Sequence, residues 1–596
     1  MTESVWTFEQ NAKRMTPAEV ASSFVPHPSF RELTNLDHCY VVGPRGSGKT
    51  TLLKMLQGEA LMAWQGRHAS NARSRVNFSS VFLPADTLWS TQTRSAPPEI
   101  GKAAFVLQAL YALVETMKYR SSGEDANGNA IFDPAELGHD REVSLVKTLR
   151  QGWRISPRGN SLAALSAHLD LLLLEVSRRE KSVVRQFSNV DALDLISYGV
   201  RTFNREVGQD RHRWALLLDE MELAPPEIYN EIVPFVRGGN STLILKISTS
   251  PFDRYYEFAG PQYGPMAGND FRAVHLAGLP RTAVHTFSVG MWNSAVKSAG
   301  LPPTRIQDAL GQSSIQKRAG STGSTLDIQG SVIGKAAASD PDLAKWLKRR
   351  KVDLTQLESM TYVQRSATLR KVYPLVVFRE ALLTFPDGDE PARARSRKKQ
   401  YEPFTGADAV ITALEGNPRW IKTAYSAMFD SAKIGAAAFS VQPTAQWDAL
   451  AHLADRFESL MRVMPSQRSE STGLGFNALI DKIALYFHAV NVGKFRSDPP
   501  TTFVVDGGVP QDVYPLLTLG LYSGALVHVR DKGGEDTITD YRGKRFRLAY
   551  LLAIRDNLES PMRLGKHVAL SRVLASQVRP VAPEEPDDPI GQSVLF

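Results

Sequence analysis

The chain contains a single cysteine, Cys39. It therefore forms no internal disulfide and builds no thiolate-rich metal site. No uninterrupted apolar run reaches the ~18 residues of a bilayer-spanning helix, so no membrane partner is expected. Met1-Thr2-Glu3-Ser4 does not open a secretory leader, and the expected setting is a reducing cytoplasm. His-Glu-x-x-His, paired Cys-x-x-Cys and the nucleophile elbow are all missing, so no nuclease, protease or deaminase site is legible. Charge of one sign is also scarce. The 70 basic and 62 acidic residues leave +8 over 596 residues, which permits a polyanionic partner without requiring one. Length and a 43% hydrophobic content suffice for a large core and about three to four domains.

The chain is organised around Tyr40-Val41-Val42-Gly43-Pro44-Arg45-Gly46-Ser47-Gly48-Lys49-Thr50-Thr51-Leu52-Leu53. It reads as a buried strand, a glycine-rich turn and the start of a helix, with the spacing of a phosphate-cradling loop. Gly43, Gly46 and Gly48 allow close approach of the backbone, so that the N–H groups from Gly43 through Thr51, Pro44 having none, converge on phosphate oxygens. Lys49 supplies a cation for the outer phosphates, and the Thr50 hydroxyl is placed to ligate Mg²⁺. ATP and Mg²⁺ are the implied ligands. Cys39, in the apolar strand leading into the loop, reads as a buried structural thiol. Upstream, Phe24-Val25-Pro26-His27-Pro28-Ser29-Phe30 with Leu33 and Leu36 is open to two readings: a cover for the adenine base, or a leader packed on the sheet.

A second anchor is Trp214-Ala215-Leu216-Leu217-Leu218-Asp219-Glu220, a continuous apolar run ending in two carboxylates, the form of a central parallel strand. In a phosphate-loop enzyme Asp219 would hold the hydrated Mg²⁺ and Glu220 would polarise the attacking water; Glu222 lies near and reads as structural. Ser79–Leu83, Thr242–Pro251 and Ala273–Leu276 are further strands. Thr249 is the preferred hydroxyl for reaching the γ-phosphate or the water, with Ser250 and Ser248 as alternatives. Arg254 and Arg272 are candidate arginine fingers for a neighbouring subunit. Helical periodicity runs from Ser161 to Phe203. The polar stretch with Asp125, Asn127 and Gly128 fails the spacing of a calcium loop and reads as surface.

Composition shifts after residue 290. Residues 311–335, rich in Gly, Ser and Thr, read as mobile. Lys345-Trp346-Leu347-Lys348-Arg349-Arg350-Lys351 and Arg393-Ala394-Arg395-Ser396-Arg397-Lys398-Lys399 are basic clusters able to contact nucleic-acid phosphates. Each is equally a solvated face. Gly416-Asn417-Pro418-Arg419 opens a helix that would carry Arg419 back across the nucleotide, coupling domain closure to the phosphate state. From Phe476 two helices and two alternating strands, Leu526–Arg530 and Lys544–Leu548, outline a winged helix with Lys532, Arg542 and Lys544 near the wing. The Pro- and acid-rich stretch after residue 577 reads as a tether. It ends in Gln592-Ser593-Val594-Leu595-Phe596, in which Gln592, Leu595 and Phe596 resemble a sliding-clamp docking peptide or would bind an effector protein.

Taken together, these motifs resemble the AAA+ ATPases of the origin-recognition and replication-initiator type, close to the STAND signalling ATPases. The resemblance spans roughly residues 20–575. It implies an α/β fold, with a phosphate-loop parallel sheet sandwiched by helices (residues 1–290), a helical lid (291–440), a C-terminal winged helix (441–576) and an acidic tail (577–596). The insertions at 90–210 and 290–400 exceed the family core, and no single arginine stands out as a finger, which leaves a homo-oligomeric ring open. Three functions follow: an ATP-hydrolysing switch acting on or near DNA, a signalling ATPase of phage-defence type that relays a trigger to a separate effector, and an ATP-gated scaffold with little turnover.

Overall fold

The structure, a computed structural model, describes residues 12–85, 89, 97–125, 128–238, 242–251, 265, 267–312, 324–350, 352, 362–385, 392–395, 403–530, 540–555 and 558–578. Arg254, Lys351, Ser396 to Lys399, Lys532 and the tail residues Gln592, Leu595 and Phe596 lie outside them. The chain divides into two compact units, broken between Ala277 and Gly278.

The first unit is built on a five-stranded sheet in the order β2-β3-β4-β1-β5. Its strands are β1 (Cys39–Val42), β2 (Ser79–Leu83), β3 (Trp214–Leu218), β4 (Leu243–Thr249) and β5 (Arg272–His275), all parallel. β1, β3 and β4 are buried along their whole length, because helices cover both faces of a parallel sheet and leave no polar side. One face packs Val41, Leu217 and Ile244 against Leu52, Leu53 and Leu56 of the segment after the loop. Phe24, Phe30 and Trp64 join this layer as an edge-to-face cluster, with centroids 5.1, 5.1 and 6.0 Å apart. The aromatic segment upstream of the loop therefore packs into the core.

The opposite face carries Leu216, Leu218, Leu245 and Ile247 against the helices Pro98–Ser121, Leu162–Ser177, Lys181–Ser188 and Ala192–Glu206. By length and a mean hydropathy of 1.3, Pro98–Ser121 alone among the described helices would suit a membrane. It is instead a core helix whose Phe105, Leu107, Leu110 and Leu113 are buried. Lys246, in the middle of β4, is fully buried. Its ammonium donates to Asn35 O and Asp37 O, both at 2.7 Å, and lies 3.2 Å from Cys39 Sγ. These acceptors satisfy a cation that would otherwise be costly to bury.

In the second unit, helices Arg281–Ser298 and Pro418–Asp430 pack through Trp292, 5.0 Å from both Tyr425 and Phe429. Two short antiparallel pairs follow: β6 (Leu383–Thr384) with β7 (Arg393–Ala394), and β8 (Lys433–Ile434) with β9 (Phe439–Ser440). Helix Ser324–Ser339 occupies the second half of the stretch expected to be mobile. Burial of Ile333 and Ala336 against Leu343, Leu347 and Val372 gives that segment a core its composition does not advertise. Near the C-terminal end, β10 (Pro500–Val504), β11 (Leu526–His528), β12 (Arg545–Leu548) and β13 (Lys566–Ala569) form a sheet in the order β11-β12-β10-β13. Helices Phe476–Val492, Tyr514–Ser523 and Leu570–Ala575 accompany it. Both expected helices and both expected strands are present, and β10 and β13 are additional.

Candidate nucleotide site

β1 ends at Val42, and Gly43 extends its ladder by donating to Thr249 O at 3.2 Å. A Cβ on Gly43 would lie 2.4 Å from Ser47 Oγ and 3.0 Å from Leu276 Cβ, so only glycine fits at this turn. Gly46 and Gly48 take φ of 85° and 93°, the left-handed region. Ser47 Oγ closes the bend on Pro44 O at 2.8 Å, and Arg45 is exposed at its crest. Lys49, Thr50 and Thr51 begin the helix Lys49–Lys54. The Lys49 ammonium crosses the loop, donating to Gly43 O at 2.7 Å and Pro44 O at 3.4 Å, and it lies 3.7 Å from Glu222 Oε1.

β3, separated from β1 in the sheet by β4, brings in the second anchor from 169 residues away. Thr50 Oγ1 donates to Asp219 Oδ2 at 2.7 Å, and Ser248 Oγ donates to Asp219 Oδ1 at 2.6 Å. Ser248 Oγ in turn accepts the N–H of Glu220 at 2.8 Å. Asp219 is fully buried, and burial pushes its carboxyl above the usual range against the hydrogen bonds from Ser248 and Thr50. A desolvated carboxylate beside a hydroxyl is a hard, all-oxygen donor pair of the kind Mg²⁺ prefers, so the residues present fit that ion. When bound, Mg²⁺ would neutralise charge on the phosphates, with Thr50 and Asp219 as its protein partners. Ser248 fixes which way the Asp219 carboxylate faces.

Three residues named from the sequence make contacts of their own. Ser248, one of the alternative hydroxyls, reaches Asp219; the side chains of successive strand residues point to opposite faces. Thr249 Oγ1 is buried with no hydrogen-bond partner among the described residues. Glu220 has φ of 51°, an uncommon conformation for a residue with a side chain, and its carboxylate pairs with the Lys13 ammonium. Glu222 is more than a bystander. Its carboxylate is nearly buried, Oε2 has no hydrogen-bond partner among the described residues, and desolvation raises its pKa to about 7 despite Lys49 nearby. The signal for it was its place two residues beyond Glu220, in the turn Met221–Leu223.

Because the folded value lies above the ordinary 4.5, this group favours the fold at low pH and loses that contribution as pH rises from about 4.5 through about 7. Glu222→Gln should therefore stabilise the unit at pH 8, by up to about 3 kcal/mol, with no gain below pH ~4.5. Urea midpoints at the two pH values check this, and an equal effect at both would contradict it.

Arg272 forms an exposed ion pair with Asp37 at 3.0 Å. Arg419 belongs to the second unit, where its N–H donates to Asn417 Oδ1 at 3.0 Å in the cap of helix Pro418–Asp430. A separate cavity of about 710 Å³ borders β2, lined in part by Phe82, Tyr111, Tyr119 and Phe132, and none of the predicted site residues faces it.

The sequence profile of the ORC-CDC6-like family matches residues 7–570. The chain belongs to the ORC-CDC6-like family. No curated protein and no solved structure shows significant similarity. Membership makes this an ORC/CDC6-like AAA+ ATPase by descent, in line with the parallel five-stranded sheet and its flanking helices. The family suggests ATPase activity and implies nucleotide use together with a divalent metal.

Proposed function

We propose that this ORC-CDC6-like chain is an ATP-hydrolysing switch of the initiator class that acts on or near DNA. The observation that carries the reading is the hydrogen-bonded chain Thr50–Asp219–Ser248–Glu220, which joins the phosphate loop to the carboxyl ends of β3 and β4. In this reading the loop from Gly43 to Thr51 binds the phosphates, Thr50 and Asp219 hold Mg²⁺, and Glu220 takes the proton of the attacking water. Arg419 senses the phosphate state from a helical lid at 291–440, and residues 441–576 act as a winged helix. DNA is the proposed partner of the helix Pro341–Arg349 and the residue after it. There Lys345, Lys348, Arg349 and Arg350 are exposed while Leu343 and Leu347 are buried. A cationic face on an anchored helix suits phosphate contacts.

Neutralising Lys348, Arg349 and Arg350 together should weaken duplex DNA binding and flatten its salt dependence by about 2–3 in log–log slope, three contacts at roughly 0.9 each. DNA should also stimulate ATP turnover by the parent chain. Unchanged binding in the triple variant would remove this face as the contact.

A second reading is favoured by one observation. Lys13 holds the Glu220 carboxylate, and such a restraint suits a signalling ATPase of STAND type with low basal turnover that relays a trigger to a separate effector. ATP-dependent self-association without any response to DNA would support it over the first.

A further inference from the structure

The turn that leads into Arg419 does more than cap a helix. Helix Ala407–Leu414 ends at Glu415, and two successive residues, Glu415 and Gly416, take positive φ values of 52° and 73°. The second position suits glycine. The first carries a long charged side chain in a conformation that side-chain-bearing residues avoid, and a held outlier of this kind motivates a search for function. Both carboxylate oxygens of Glu415 are engaged far along the sequence. Oε1 pairs with the Arg547 guanidinium, and Oε2 accepts the backbone N–H of Tyr550 at 2.8 Å. The guanidinium also stacks over the Tyr550 ring at 3.9 Å and donates to Leu548 O at 3.0 Å. Arg547 is buried and Glu415 nearly so.

Arg547 lies on β12, in the interior of the C-terminal sheet, and Tyr550 opens the short helical turn Tyr550–Ile554. On the other side of the turn, Asn417 Oδ1 accepts the N–H groups of Arg419 and Trp420 at 3.0 and 3.4 Å, and the Asn417 N–H donates to Leu414 O at 2.9 Å. Few soft torsions therefore separate the carboxylate from Arg419. A shift of helix Pro418–Asp430 must either carry β12 with it or break a desolvated ion pair, and breaking such a pair is unfavourable.

We propose that Glu415 is a positioning residue that ties the Arg419 helix to the C-terminal sheet, so that a change at Arg419 is transmitted to residues 545–554. This rests on the reading of Arg419 as a sensor of the phosphate state. The carboxylate acts as a two-ended clamp: its charge selects Arg547, and its second oxygen fixes the backbone at Tyr550.

The test is amide hydrogen exchange of the full chain with and without MgATP, comparing the parent with Glu415→Gly and Glu415→Gln. Glycine accepts the left-handed backbone and removes the clamp; glutamine keeps the volume and removes the charge. In the parent, MgATP should slow exchange at residues 43–54, 418–430 and 545–554. In Glu415→Gly the response at 43–54 and 418–430 should persist while that at 545–554 is lost, and Glu415→Gln should reduce it. An undiminished response at 545–554 in both variants overturns the proposal. So does a parent chain that responds at 43–54 and 418–430 but not at 545–554. A response confined to 43–54 removes the sensor role of Arg419 and the proposal with it. No response at 43–54 identifies failure of the nucleotide reading itself.

Discussion

Replacing Lys49 by alanine is expected to weaken MgATP binding by about 10- to 150-fold. That range corresponds to one charge-assisted contact of roughly 1.5–3 kcal/mol between the ammonium and the outer phosphates. The substitution also leaves Glu222 without the cation 3.7 Å away, an uncompensated buried carboxylate that lowers stability. The double variant Lys49→Ala with Glu222→Gln separates the two effects. It should melt close to the parent and still bind ATP poorly. If titration calorimetry shows both variants binding like the parent, the loop lysine does not touch the nucleotide.

The second large effect is expected at Glu220. Glutamine there keeps the shape of the side chain and its backbone bond to Ser248 at 2.8 Å, but cannot accept a proton. Turnover should fall by about 10²–10⁴-fold, the usual contribution of a positioned general base. ATP affinity should change little, because the carboxylate is paired with Lys13 and not with the loop. Single-turnover rates beside equilibrium binding separate these quantities. Turnover equal to the parent's would assign the base elsewhere. A parent chain that binds ATP without measurable turnover would instead favour a scaffold gated by nucleotide.

How much of this was legible in the sequence depended on how local the physical constraint was. The phosphate loop is a local requirement: the glycines, Lys49 and Thr50 must sit at fixed spacing for a short bend to present N–H groups, so it reads directly. The strands of the parallel sheet read almost as well, because burial on both faces writes them as continuous apolar runs. That same burial hid which hydroxyl meets Asp219. β4 is buried from Leu243 to Thr249, so no alternation marks the faces, and only the register of β4 beside β3 selects Ser248. The helix Pro98–Ser121 leaves little local signal for a related reason: it is apolar on most sides and carries little amphipathic periodicity. β10 had its β-branched and aromatic signal in Thr501-Thr502-Phe503-Val504. Its partners, however, lie at Arg545 and Phe546 and at residues 566–569, pairings that no local pattern encodes. The clamp at Glu415 was wholly invisible, since Arg547 and Tyr550 lie more than 130 residues along the chain.

The most direct measurement is calorimetric titration of the intact chain with ATP, once in excess Mg²⁺ and once in chelator. Saturable binding that tightens with the metal, and whose metal dependence disappears in Asp219→Asn, is the expected result. No saturable binding at millimolar ATP in the presence of Mg²⁺ would contradict the account at its root.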